Sequence, residues 1–137
     1  MKFREQLLTD VSRANTDFIV HAIGGKKQPF EELFQLIYDE NGHVANRAAW
    51  VVEKCAPLYP WLIEPHLNEI IDLLGLTKYN GLKRLLLKVL TFFPIPEDRE
   101  GELIDMCFTW LESPKEKVAL KVYSMQILAD FCEKEKD

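Results

Sequence analysis

The side chains that could do chemistry in this sequence are three histidines, three cysteines, scattered carboxylates and a recurring set of basic residues. His21, His43 and His66 lie 22 and 23 residues apart. None belongs to a His-x-x-x-His or Glu-His pairing that would present two ligands to a metal from one helix face. Cys55, Cys107 and Cys132 are odd in number and form no Cys-x-x-Cys pair, so neither a disulfide framework nor a zinc module is expected. Each sits among apolar neighbours at helical spacing, and all three are read as small buried core residues in a reducing compartment. There is no Gly-x-Ser-x-Gly elbow, no Gly-x-Gly-x-x-Gly turn and no Walker loop. Glu31, Glu32 and Asp105 are the carboxylates that folding would have to assemble into an acid–base site. On a helix face without a pocket such groups are ordinary solvated charges. No catalytic residue, metal or cofactor is assigned, and the chain is read as a non-enzyme.

What remains is charge. Arg47, Arg84 and Lys121 recur at a spacing of 37 residues, with Trp50, Lys54 and Lys88 beside them. These six are the candidate binding residues, and their meaning depends on the elements that carry them.

Those elements repeat. Phe30-Glu-Glu-Leu33-Phe34-Gln-Leu36-Ile37 becomes Leu67-Asn-Glu-Ile70-Ile71-Asp-Leu73-Leu74 on adding 37, and Ile104-Asp-Met-Cys107-Phe108-Thr-Trp110-Leu111 on adding 37 again. Positions 1, 4, 5, 7 and 8 are apolar in every copy, which is the stripe of an amphipathic helix and not the alternation of a strand. A second helix follows at the same period: Val44-Ala-Asn-Arg47-Ala48, Gly81-Leu-Lys-Arg84-Leu85 and Val118-Ala-Leu-Lys121-Val122. Three helix pairs follow, expected over 29–58, 60–93 and 97–133. Pro29 and Pro65 suit first-turn positions, Asn41-Gly42 and Asn80-Gly81 mark turns, and Pro94-Ile-Pro96 stops a helix near Phe93. Ser113-Pro114-Lys115-Glu116 has the form of an N-cap, first-turn proline and capping-box glutamate, predicting a helix from there to about Glu133. Residues 1–25 carry a less regular stripe, interrupted near Asn15 and ended by Gly24-Gly25, and are read as an N-terminal cap. The polar run Glu133-Lys-Glu-Lys-Asp137 suits the last helix of a stack. The whole, 1–137, is expected to be a single all-α domain.

Tandem helix pairs of this length, with a small-residue and basic signature on the second helix, resemble HEAT and armadillo-type repeats over residues 29–133. Asn41, Val44, Ala48 and Val52 stand where the HEAT pattern places its turn and second-helix residues. The basic residue departs from it, lying three places after the Val position and not directly after it. The resemblance implies an αα-superhelix, a right-handed curved stack with first (A) helices outside and second (B) helices lining the concavity. It implies a binding surface and no particular chemistry.

At 137 residues, 47% hydrophobic and 28% charged, with a net charge of −5, the composition is that of one soluble globular domain. Its apolar runs are far shorter than the roughly 20 residues that span a bilayer. The N-terminus has no apolar core of signal-peptide type, so a cytoplasmic location without membrane contact is the expectation. The charges are sorted by helix. The A helices hold thirteen acids and one base, Arg99, whereas the B helices hold nine bases and three acids. On B helices lining a concavity, Arg47, Arg84 and Lys121 would form a ladder about 10 Å apart, attractive to anionic partners. The competing reading is that these charges pair with acids on neighbouring helices. The favoured function is therefore a protein–protein interaction module taking an acidic or extended partner segment of unknown identity. Nucleic-acid binding ranks second, disfavoured by a sequence pI near 5.3, and an enzyme third. Homodimerisation through an incompletely capped end is a further expectation.

Overall fold

A computed structural model describes residues 1–136, the side chain of Lys136 excepted. The described chain is helical without strands and forms two compact units, Met1–His66 and Leu67–Asp137.

In the first unit the N-terminal cap is two helices, α1 (Phe3–Thr9) and α2 (Arg13–Ile23). The break falls at Asp10–Ser12, slightly ahead of the expected interruption near Asn15, because Ser12 is extended and its side chain accepts the Asn15 amide N–H at 3.1 Å as an N-cap. The Asn15 carboxamide then ties the helices together, donating to the carbonyls of Gln6 (2.9 Å) and Asp10 (2.8 Å) and accepting from Gln6 Nε2 (2.7 Å). Gly24 ends α2 in the left-handed region at φ 56°, its N–H returning to the Val20 carbonyl. Next come α3 (Lys27–Phe34), a 3₁₀ turn over Gln35–Tyr38, and α4 (Gly42–Leu58), which starts where the Asn41 side chain accepts the His43 N–H at 2.9 Å. Phe30, Leu33, Phe34 and Ile37 are fully buried, as are Val44, Ala48, Ala49 and Val52 of α4. The alanines let the elements packed on α4, including α2 and the 3₁₀ turn, approach closely. The helix expected over 60–75 is broken into α5 (Pro60–Ile63), a 3₁₀ turn over Glu64–His66 that contains the donor-less Pro65, and α6 (Leu67–Leu76). Buried His66 closes this unit, its ring stacked on Phe34 at 4.1 Å and its Nε2 2.8 Å from Glu31 Oε1.

The second unit contains α6, α7 (Asn80–Leu90), a 3₁₀ turn over Glu97–Arg99, α8 (Glu100–Glu112) and α9 (Val118–Lys136). α6 packs on α7, α8 on α9, and the two B helices α7 and α9 on each other. Trp110 is buried, as its place in the A-helix stripe predicts.

Two sequence expectations need correction. The capping box at Ser113–Glu116 does not form: Ser113 Oγ accepts from the nearer Lys115 N–H at 3.3 Å, and α9 starts only at Val118. The reason is a competing partner, since the Glu116 carboxylate sits 3.3 Å from Lys83 Nζ. The second correction concerns the cysteines. Cys55 and Cys107 are buried, but Cys132 is exposed on α9. No described helix is long and apolar enough to cross a membrane.

Candidate protein-binding surface

The six candidate residues divide between the units. In the first, Arg47 is half-buried and its Nη1 donates to the Leu7 carbonyl at 2.9 Å. Leu7 lies in the last turn of α1, where carbonyls have no intrahelical donor, so the guanidinium serves as a C-terminal cap. Trp50 is half-buried on the same helix, and Lys54 lies 3.9 Å from the buried Glu53 carboxylate. The aromatic corner around Pro60 packs inward on the cap: Tyr59 and Trp61 meet edge-to-face at 5.7 Å, and Trp61 Nε1 donates to the Gly25 carbonyl at 3.3 Å. Gly25 is at φ 75°, and a Cβ there would come within 3.1 Å of the Tyr59 ring. Trp61 nevertheless leaves 58% of its surface to solvent.

In the second unit, Arg84 and Lys121 are half-buried on neighbouring B helices, and neither has a hydrogen bond or ion pair from its side chain among the described residues. Lys88 stands one turn beyond Arg84 and is half-buried. A cleft of about 160 Å³ opens where α7 and α9 begin, lined by Asn80, Gly81, Arg84, Glu116, Lys117 and Leu120. Its one carboxylate is already matched, because Lys83 holds Glu116 and also lies 5.7 Å over the Trp110 ring. Arg84 and Lys117 are thus left as uncompensated positive charge. The first turn of α7 adds to it: Tyr79 provides no side-chain cap, so backbone N–H groups point outward at the positive end of the helix dipole.

Elsewhere several of the sorted charges are paired. Arg99, the single base among the A helices, donates to Asp72 (2.5 Å), Glu102 (2.7 Å) and Asn68 Oδ1 (3.1 Å). Those bonds hold its guanidinium above its ordinary range. Lys134 is bonded to Glu100, and Arg4 is bonded to Asp39 at 2.8 Å. The Arg4 bond, with the Asn41 N–H, pulls the Asp39 carboxyl below the usual carboxylate range. Glu31 is occupied by His66, while Glu32 and Asp105 are exposed on separate units. The described residues contain no cluster of His, Cys, Asp and Glu able to hold a metal. Lys117 and the cleft lie outside the six candidate residues; in the sequence Lys117 counts only as one of the nine bases of the B helices.

Neither a curated protein nor a solved structure is significantly similar to the chain. The HEAT repeat domain family matches it over residues 3–137, nearly end to end. The match includes the cap, which the 37-residue period alone had left outside the resemblance. Proteins of this family are typically non-enzymatic helical scaffolds of the protein-interaction kind. With its helix pairs, its repeated stripe and a match over almost every residue, this chain belongs to the HEAT repeat domain family.

Proposed function

We propose that this chain is a non-catalytic interaction module which takes an acidic or extended partner segment on its B helices, most directly on those of the second unit. Arg84 and Lys121 are the anchoring charges, with Lys88 beside them and Arg47, Trp50 and Lys54 as the corresponding residues of the first pair. The observation that carries this reading is that Arg84 and Lys121 are half-buried cations on neighbouring B helices. Lys83 and Arg99 have acidic partners within 3.3 Å, while Arg84 and Lys121 have none among the described residues. Of the two, Arg84 lines the cleft together with Lys117, and their positive field favours a ligand that brings carboxylates. Arg47 enters with a second duty, since its guanidinium is already bonded to Leu7. The free cysteines fit a reducing compartment such as the cytoplasm.

The test is affinity capture from host lysate at low and physiological salt with the wild-type chain and with Arg84→Glu, identifying retained protein and nucleic acid. The reading expects a salt-sensitive protein partner that Arg84→Glu loses while its thermal midpoint is kept. Equal capture by both proteins would refute the assignment, and retained nucleic acid in place of protein would favour the second-ranked function.

A further inference from the structure

α9 is apolar on two opposite faces, and only one of them is covered. Leu120, Ser124 and Ile127 are buried on the inner side. Val118, Val122, Met125, Ala129 and Cys132, spaced four, three, four and three residues apart, run along the other side and are all exposed. At 100° per residue these five fall within one narrow stripe about 21 Å long. An apolar stripe along a helix is ordinarily covered by a neighbouring element.

The repeat gives this exposure its meaning, because positions 37 apart have opposite fates. Phe34 and Ile71 are buried, whereas Phe108 is 51% exposed. Ala48 and Leu85 are buried, whereas Val122 is 46% exposed. Val44 and Val51 are buried, whereas Val118 and Met125 are 77% and 53% exposed. At Phe108, Val118, Val122 and Met125 the third helix pair thus leaves uncovered positions that the first pair buries, whereas Ala129 and Cys132 stand 37 residues after Phe92 and 74 after Leu58, which are exposed as well. The polar residues expected to close the stack occupy only the final turns of α9.

The charges along α9 select an occupant. Its leading end, 115–121, has three lysines and one glutamate; its far end, 130–136, has three acids and two lysines. Glu116 and Lys134 are taken by Lys83 and Glu100. The remaining charges, Lys115, Lys117 and Lys121 at the start and Asp130, Glu133, Glu135 and Lys136 at the end, are net positive first and net negative last, which opposes the helix's own dipole, since that favours acids first and bases last. An antiparallel helix of the same sequence offsets both ends at once, and a parallel one would bring like charges together. With the pair centred on Met125, Val118 of one copy meets Cys132 of the other, Val122 meets Leu128, and Lys117 meets Glu133. The arrangement is two-fold and closed.

We propose that the outward stripe of α9 is a self-association surface on which α9 of a second copy of this chain lies antiparallel. This proposal shares Lys117 and Lys121 with the anionic-partner function but rests on the apolar stripe, and Met125→Lys tests it without touching either lysine. Sedimentation equilibrium over roughly 1–100 µM is expected to give a mass rising from 16.0 kDa towards twice that value. Met125→Lys, at an exposed position, is expected to remain monomeric with unchanged helix content and thermal midpoint, weakening association about 100-fold by placing an unpaired charge in the apolar contact. Under mild oxidation Val118→Cys is expected to give a covalent dimer through Cys132 of the second copy, and Val118→Cys with Cys132→Ser is expected to give none. A wild-type chain monomeric throughout, open-ended polymers, or a dimer indifferent to Met125→Lys would each overturn the proposal.

Discussion

Replacing Arg47 by Met removes the guanidinium while retaining most of the aliphatic stem that packs on neighbouring apolar surface. The bond lost is Nη1 to the Leu7 carbonyl, 2.9 Å long and part-buried. Hydrogen bonds from charged groups contribute about 1.5–3 kcal/mol net, and part-burial places this one near the lower end, about 1.5 kcal/mol. Unfolding entropy is about 2.1 cal/mol/K per residue, which makes 1 kcal/mol worth about 7 °C for a 66-residue unit unfolding by itself and about 3 °C for all 137 residues together. Arg47→Met is accordingly expected to lower the thermal midpoint by about 5–10 °C, followed by far-ultraviolet circular dichroism. The corresponding change at Arg84, Arg84→Met, is expected to move it by less than about 2 °C, because Arg84 has no partner to lose among the described residues. Equal shifts for the two variants, or no shift for Arg47→Met, would refute the distinction between a capping arginine and an unpaired one.

Other expectations follow from the same geometry. Phe34→Ala, which removes a fully buried ring stacked on His66, should cost about 3–5 kcal/mol in urea unfolding. Ser12→Ala should cost about 1 kcal/mol through loss of the α2 cap. In the native chain a thiol reagent should modify Cys132 at once, and Cys55 and Cys107 only on unfolding. Burial pushes the Cys55 thiol up to about 12 and Cys107 up to about 11, against an ordinary 9.0. Both pKa values are raised on folding, so this contribution to stability is complete below pH 9 and is lost between pH 9 and about 12 as the unfolded thiols ionise first. The slope is at most about 1.4 kcal/mol per pH unit for each thiol. Comparing urea midpoints at pH 8 and pH 10 for the wild type and Cys55→Ala should show a smaller alkaline loss in the variant.

The helix pairs were legible because their signal is periodic and redundant. Five apolar positions in each of three copies fix a helical face whatever surrounds it, and Asn41 and Gly24 mark their boundaries through local bonds. The Ser113 cap was misread because its outcome depends on Lys83, thirty residues away, which draws off the glutamate that the motif requires. Cys132 was misplaced because helical spacing identifies a face without saying whether anything covers it. The same limit applied to the basic residues. Arg47, Arg84 and Lys121 are equivalent in sequence, yet only Arg47 meets a helix end that needs a donor. The cleft beside Arg84 became visible only when Glu116 was seen to be paired with Lys83.

The central claim is that Arg84 and Lys121 hold an acidic partner. Its most direct test is fluorescence anisotropy of a labelled glutamate-rich peptide titrated with the wild-type chain, with an Arg84→Glu, Lys121→Glu double variant, and with a Lys26→Glu, Lys27→Glu control of equal charge change. Saturable, salt-sensitive binding is expected, falling at least about tenfold in the double variant, equivalent to about 1.4 kcal/mol, and surviving in the control. Equal affinity for all three proteins, or the same loss in the control, would contradict it.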